Sequence, residues 1–285
     1  RASLPAAEIV MIGGALAGYG DGGSAPDHPE NDLTVALRAA AGRARVLGVA
    51  GGDGTVNAAA VVALEAGLPL AIAPAGTLNH FAGDLGVMTV DDLIVAVRDG
   101  TAVAVDVGRI DAVNGGGDPS SAIFLNTASL IGYPEMVMIR ERFERRIGKW
   151  PAMIVALVRV LRDQPPTRLE IDGRMRCLWL VFIGNGRYSP DGFAPTYRDR
   201  LDSGLLDVRL VDATEPWSRS RLVFAVLTGR LGRSRVYQTV AAHSVRIVAP
   251  DGPLPYAKDG EVGDTVARVK VVKNPNRLVV YRPAE

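Results

Sequence analysis

Asp53 stands inside a run of small residues, Gly51-Gly52-Asp53-Gly54-Thr55, directly after the apolar residues Val46, Leu47 and Val49. A similar run, Pro74-Ala75-Gly76-Thr77, follows the apolar residues 70–73. Glycine backbone lets main-chain N–H groups approach a phosphate closely, and a helix starting at once after the loop adds its positive end. Asp53 cannot itself be a ligand for an anion. A carboxylate in such a loop is a proton acceptor or a metal partner. Plain alternatives exist for each residue. Tight turns need glycine for steric reasons, a turn aspartate bonds its own backbone, and a threonine such as Thr55 caps helices. The first loop is neither a G-x-G-x-x-G fingerprint nor a P-loop, since no Lys followed by Ser or Thr is present.

The elements that must hold these loops follow from apolar periodicity. Residues 46–49 and 70–73 read as strands and residues 56–64 as the helix between them, so both loops fall at the carboxyl edge of a parallel sheet, where open α/β sheets bind ligands. Leu33, Leu37 and Ala40 give helical spacing over residues 31–41, with Asn31 or Asp32 able to cap. Thr89-Val90-Asp91-Asp92 is a capping-box start for a helix through Arg98 that stops at Gly100. After Gly100 the pattern changes. Val103, Val105 and Val107 alternate as strand residues do, residues 122–128 read as another strand, and Asp172-Gly173 marks a hairpin between residues 168–171 and 175–182. Short strands are expected at residues 206–211, 244–248, 266–272 and 278–281. Helices are expected at residues 134–161, broken near 148–151, and at 216–231. The fold class is α/β in two domains: an N-terminal three-layer α/β domain, residues 1–102, and a C-terminal, mainly antiparallel β-sandwich, residues 103–285. The Asn114–Gly117 stretch is a loop within the second domain.

The bulk numbers narrow the classes. A chain of 285 residues, 48% hydrophobic and 22% charged, builds a packed core and is not disordered. Its net charge of +1 gives no field that would attract nucleic acid. Cys177 is the single cysteine, so no intrachain disulfide forms; a buried thiol in a reducing compartment is expected. No apolar run reaches transmembrane length and no signal peptide is evident, so a cytoplasmic location is expected.

GGDGT followed by PAGTLN resembles the nucleotide-binding signature of the diacylglycerol kinase catalytic-domain family, which includes bacterial lipid kinases and sphingosine kinases, with NAD kinases as more distant relatives. Ile183-Gly184-Asn185-Gly186, Gly192-Phe193-Ala194-Pro195 and residues 201–207 (LDSGLLD) are similar to the central motifs of the bacterial branch, and Asp259-Gly260-Glu261 resembles its late DGE motif. The resemblance makes the first domain nucleotide-binding and the second the lipid-substrate domain. It implies phosphate contacts from Gly51, Gly52, Gly54, Thr55, Gly76, Thr77 and Asn79, with Asn57 joining on the first helical turn. It implies catalytic roles for Asp53, as general base, and for Asp259 and Glu261 near nucleotide, metal or substrate hydroxyl. For Asp259 a hairpin role is an equally direct reading, since Asp-Gly is a common two-residue turn.

Two departures stand out. Asn79-His80-Phe81 stands where the family has Asn-Asp-Phe. Ser203 stands where bacterial relatives carry an Asp that, with backbone carbonyls, binds a structural magnesium ion. Asp202, Ser203 and Leu205 are the candidate metal residues, with Asp202 as the substitute carboxylate; serine is the poorer ligand for a hard cation. The family's opening strand and its N-P-x-x-G-like turn are not found after Arg1, residues 4–11 look like its second strand, and residues 13–23 do not supply the turn.

The expected function is an ATP- and Mg2+-dependent lipid kinase acting on a membrane lipid hydroxyl, with diacylglycerol giving phosphatidic acid. Alternatives are a kinase for a sphingoid base, another glycerolipid or NAD, and a non-catalytic nucleotide- or lipid-binding module. The arginine-rich segment 217–235, with Leu222, Phe224 and Leu227, either rests peripherally on the inner face of a membrane or packs on the β-sandwich. The helix over residues 147–161 is another candidate wall for an acyl chain. A homodimer is left open.

Overall fold

The computed structural model describes residues 29–189 and 197–284. The strand expected at residues 4–11, the segment 13–23 and the motif residues Gly192, Phe193, Ala194 and Pro195 lie outside the described residues. The chain divides into two compact units, Arg1–Val105 with Arg277–Glu285, and Asp106–Asn276. The cut falls at 105/106, three residues beyond the expected 102/103, and residues 277–285 belong with the first unit.

In the first unit, α1 (Pro29–Ala41), β1 (Leu47–Gly51), α2 (Asp53–Ala66), β2 (Leu70–Pro74), α3 (His80–Asp84) and α4 (Val90–Asp99) alternate as parallel α/β units do. β1 and β2 pair in parallel from Leu47 opposite Leu70 to Gly51 opposite Pro74. The end of the chain adds a third parallel strand, with Val280 beside Leu70. The reason is visible in its alternation. Leu278 and Val280 are buried while Val279 is exposed, so this segment has an apolar face to cover. Arg282 N–H donates to the Thr101 carbonyl at 3.0 Å, and the Thr101 hydroxyl donates to the Arg282 carbonyl at 2.6 Å.

α2 buries Val56, Ala59, Ala60, Val62 and Ala63 and ends at Gly67, whose left-handed backbone (φ 66°) no β-branched residue would adopt cheaply. α4 has the capping box that its sequence announces. The Asp92 amide donates to the Thr89 hydroxyl at 3.2 Å and the Thr89 amide donates to the Asp92 carboxylate at 2.8 Å.

The second unit contains β3 (Ala102–Asn114), which starts in the first, β4 (Pro119–Phe124), β5 (Thr127–Ile131), α5 (Gly132–Ile147), α6 (Lys149–Asp163), β6 (Thr167–Ile171), β7 (Arg174–Gly184), β8 (Tyr188–Ser189), β9 (Tyr197–Arg198), β10 (Leu206–Asp212), α7 (Ser218–Leu227), β11 (Tyr237–Ala242), β12 (Ser244–Val248), β13 (Leu254–Lys258) and β14 (Glu261–Tyr281), which ends in the first. Antiparallel ladders run from β14 through β12, β6, β7, β5 and β13 and return to β14. The two long strands, β7 and β14, each serve two neighbours along one edge and so join the layers. Val181, Ile183, Val245, Ile247, Val269 and Val271 meet in the core between them. On the other side of β7 and β10, α5, α6 and α7 bury a second cluster that includes Leu157, Trp179, Phe182 and Leu222.

Several details differ from the sequence reading. The strand expected over residues 122–128 is two strands, β4 and β5, parted at Leu125 and Asn126. The strands expected at 266–272 and 278–281 are one, β14. The helix break falls at Gly148 alone (φ 82°). Helix 216–231 is shorter, because Thr228 and Gly229 end it. Cys177 is half-buried, not buried. The Asp172-Gly173 hairpin is as read, with φ values of 47° and 80° that only a primed turn uses.

Candidate active site

The first unit presents the two glycine loops at the carboxyl ends of β1 and β2, and they are packed backbone on backbone. The Ala75 amide donates to the Gly51 carbonyl at 3.3 Å. A side-chain carbon on Gly76 would lie 2.3 Å from Gly52 Cα, and one on Gly51 would lie 2.7 Å from Thr55 Cβ. These glycines are thus required by close approach before any ligand is considered. Thr55 does not cap α2. Gly52 is the N-cap and makes no side-chain capping bond, so the first-turn amides keep the anion-binding character of a helix N-terminus.

Asp53 is the first residue of α2, and its carboxylate reaches the second loop. Oδ2 accepts the His80 N–H and Oδ1 accepts the Phe81 N–H, each at 3.2 Å. It therefore serves the start of α3 as a cap supplied from another helix. Asn79, in the left-handed region at φ 49°, closes the second loop on itself: its Oδ1 accepts the Gly76 N–H at 2.8 Å and its Nδ2 donates to the Gly76 carbonyl at 2.7 Å. Thr77 and His80 are exposed, whereas Asn57 is buried along α2. So Asp53 and the two loops come together, Asn79 is the clasp of one loop, and Asn57 faces inward.

In the second unit Asp259 and Gly260 form the β13–β14 hairpin, with φ values of 46° and 89°. The hairpin reading is correct, but it is only half of what Asp259 does. Its Oδ2 accepts the Leu125 N–H at 2.8 Å, and its Oδ1 accepts those of Asn126 and Thr127 at 2.7 and 2.9 Å. Three consecutive amides at the gap between β4 and β5 thus converge on one carboxylate. Glu261 is exposed at the start of β14.

From residues 125–127 a buried polar network continues through Asn185, a member of the 183–186 motif, and through Arg198, Lys273 and Asp106, which the sequence reading did not single out. The Arg198 guanidinium donates to the carbonyls of Leu125 (2.6 Å) and Asn185 (2.9 Å) and to Asn126 Oδ1 (2.9 Å). Asn185 Nδ2 donates to the carbonyls of Leu125 (2.8 Å) and Asp106 (3.0 Å). That leaves Asn185 Oδ1 for the Lys273 ammonium, at 2.7 Å. Lys273 in turn lies 3.3 Å from Asp106 Oδ2, which also accepts the Gly204 N–H at 2.7 Å. The motifs at 183–186, 201–207 and 259–261 are therefore parts of one structure. One signal was available: Val269, Val271 and Lys273 share the inward face of β14 by period-2 alternation, so a lysine on an apolar face announced a buried partner.

The expected structural ion finds a poor donor set. The Asp202 carboxylate turns outward to Arg200, at 3.0 and 3.3 Å, and that guanidinium holds it below the usual carboxylate range. The Ser203 hydroxyl sits 3.4 Å from the Leu205 amide and 3.5 Å from its carbonyl, a local turn contact. Asp207 is engaged elsewhere, in a buried pair with Arg209 at 2.7 Å. Asp202, Ser203 and Leu205 do not fit a hard divalent ion.

Comparison with known proteins decides the family. Residues 24–110 match the diacylglycerol kinase catalytic domain, and residues 137–282 match the YegS C-terminal NAD kinase beta sandwich-like domain. The chain belongs to the YegS-like branch of the diacylglycerol kinase family. A "Probable lipid kinase YegS-like" of Xanthomonas oryzae pv. oryzae is 30% identical over 253 residues, 82% of this chain and 77% of that protein. The "Diacylglycerol kinase" of Mycobacterium tuberculosis is 29% identical over 242 residues, 82% and 76% of the two chains. Among solved structures, a diacylglycerol kinase from Bacillus anthracis str. Sterne superposes with a TM-score of 0.58 at 20% identity, covering 90% of this chain and 82% of that one. Two further structures from the same organism reach 0.65 at 22% and 23% identity. Membership makes this YegS-like chain a kinase of the lipid kinase class, and the two-domain fold is that of its relatives.

Proposed function

We propose that the chain transfers the γ-phosphoryl group of Mg·ATP to a lipid hydroxyl, with diacylglycerol as acceptor and phosphatidic acid as product. The observation that carries this reading is the clasp made by Asp53. One carboxylate, at an uncapped helix N-terminus, ties together two glycine loops whose amides suit phosphate oxygens. Phosphoryl transfer asks little covalent help of the protein; it asks that phosphates be held still and that the attacking hydroxyl lose its proton. Gly51, Gly52, Gly54, Gly76 and Thr77 line the phosphate cradle in this reading. Asp53 takes the hydroxyl proton as the new O–P bond forms and the bond to the ADP oxygen breaks. The two amides that Asp53 accepts, from His80 and Phe81, hold its carboxylate at the mouth of the loops in a fixed orientation.

The membrane is met through α7. Trp217, Phe224 and Leu227 are 80%, 63% and 59% exposed and lie on one stripe, opposite the buried Leu222 and Ala225. The exposed Arg230, Arg233 and Arg235 follow. Aromatic side chains beside exposed arginines suit an anionic lipid surface. Among the described residues no helix is long and apolar enough to cross a membrane.

The test is Mg·ATP-dependent phosphate transfer to a panel of lipids in mixed micelles, with NAD as a further acceptor and Asp53→Asn as control. Transfer to diacylglycerol, falling about 100-fold or more in the variant, is expected for loss of a general base. ATP binding without transfer to any lipid would overturn the reading, and transfer to NAD alone would move the chain to the NAD kinases.

A further inference from the structure

The side chain of Lys273 is entirely buried, and so is that of Asp106, its partner. We propose that the Lys273 ammonium is the built-in cation of the 201–205 turn, filling the role that the family resemblance gives to a structural divalent ion, so that this turn holds its shape without metal.

The turn is anchored to Lys273 from two sides. On one, Asp106 Oδ2 accepts the Gly204 N–H and faces the ammonium, while the Asp106 N–H donates to the Leu201 carbonyl at 2.8 Å. On the other, the Lys273 N–H donates to the His243 carbonyl at 2.9 Å, and His243 Nδ1 lies 3.0 Å from the Gly204 carbonyl. The Lys273 side chain thus bears on the Gly204 amide through Asp106, while its backbone N–H, which any residue but proline would supply, holds His243 beside the Gly204 carbonyl; Gly204 sits at φ 70°, which glycine adopts without strain.

The chemistry also excludes simple coexistence of the two cations. An ammonium offers donors only, so it needs acceptors, and the Asn185 amide is oriented to supply one because its nitrogen is spent on two carbonyls. Magnesium needs about six oxygens at roughly 2.1 Å. Here the best candidate carboxylate, Asp106, is already neutralised by Lys273, and Asp202 is turned to Arg200. An ion close enough to use Asp106 would meet Lys273, and Arg198 in the same network, as like charges. Ser203 in place of an acid is then consistent: with the cation covalently attached, a carboxylate there would have nothing to bind.

The proposal is tested by thermal unfolding of the nucleotide-free chain in EDTA and in excess Mg2+ or Ca2+, for the wild type and for Lys273→Met. The wild-type midpoint should be the same in both buffers. The variant, which takes the ammonium away from the buried Asp106 carboxylate, should melt roughly 5–10 °C lower in EDTA and recover part of the loss when a divalent ion is added. A wild-type midpoint that falls in EDTA and returns with Mg2+ would overturn the proposal. So would a variant that melts like the wild type, or one that is destabilised and indifferent to divalent ions. If Lys273→Met does not fold, equilibrium dialysis of wild-type protein against Mg2+ decides: a tightly held ion whose removal lowers the midpoint sinks the idea, and none supports it.

Discussion

A side-chain carbon built on Gly76 would stand 2.3 Å from Gly52 Cα, whereas one built on Gly52 would stand 3.4 Å from Gly76 Cα. The two loops therefore touch through one side only. Gly76→Ala must separate them and break the Asn79 clasp, so it should cost about 1–3 kcal/mol and weaken ATP binding. Gly52→Ala meets only a close van der Waals contact and should unfold near the wild-type temperature. Thermal unfolding and ATP titration of the pair check this; equal effects would mean that the loops do not pack as described.

Asp259 and Glu261 belong to one motif but separate by burial. Replacing Asp259 by Ala strips three amides of their acceptor, and such losses run to roughly 1–3 kcal/mol for each buried group left unpaired. Glu261→Ala, at an exposed position, should stay within about 0.5 kcal/mol of the wild type while lipid phosphorylation falls. Denaturant unfolding measures the first effect and turnover the second. Unchanged turnover in Glu261→Ala would leave that residue without a part in the reaction.

The Asp259 result also marks what the sequence conceals. Asp-Gly flanked by strands announces a hairpin, and that hairpin is present. What no spacing rule announces is that the turn carboxylate faces residues 125–127, more than 130 positions earlier. Local elements were legible where a local rule governs them, as in the Thr89–Asp92 capping box and the Asp172-Gly173 turn. The division at Leu125 and Asn126 was not, because it answers to Asp259 and Arg198. The roles expected for Asp53 and Asn79 show the same limit: residue type pointed to ligand contact, and the structure adds that both hold the loops themselves together.

Burial pushes the Lys273 ammonium down to about 8, against an ordinary 10.5. A folded-state value below the unfolded one means that the unfolded chain binds more protons between those two pH values. Stability should therefore rise with pH across that window, by at most about 1.4 kcal/mol per pH unit for one proton. Below pH 8 the full desolvation penalty is present and this slope is absent. Urea unfolding at a series of alkaline pH values should show the rise in the wild type and a flatter profile in Lys273→Met, relative to the other titrating groups that both share. Identical profiles would show that Lys273 does not titrate in that range.

Around α7 the informative arginines are those whose side chains have no ion pair or ring contact among the described residues. Arg219 stacks over the Trp179 ring at 4.7 Å, and Arg221 pairs with Glu215 at 3.4 Å, so altering either disturbs packing as well as charge. Arg230 and Arg233 are exposed after the helix and are the cleaner probes. Reversing both to Glu should lower binding to vesicles containing anionic lipid, by about 1 kcal/mol per charge removed near the surface, and should leave binding to neutral vesicles as it was. Trp217→Ser with Phe224→Ser should lower binding to both kinds of vesicle, since it removes apolar contact and leaves charge unaltered. Co-sedimentation across the two lipid compositions separates these effects. Both double variants binding like the wild type would place the membrane-facing surface elsewhere on the chain.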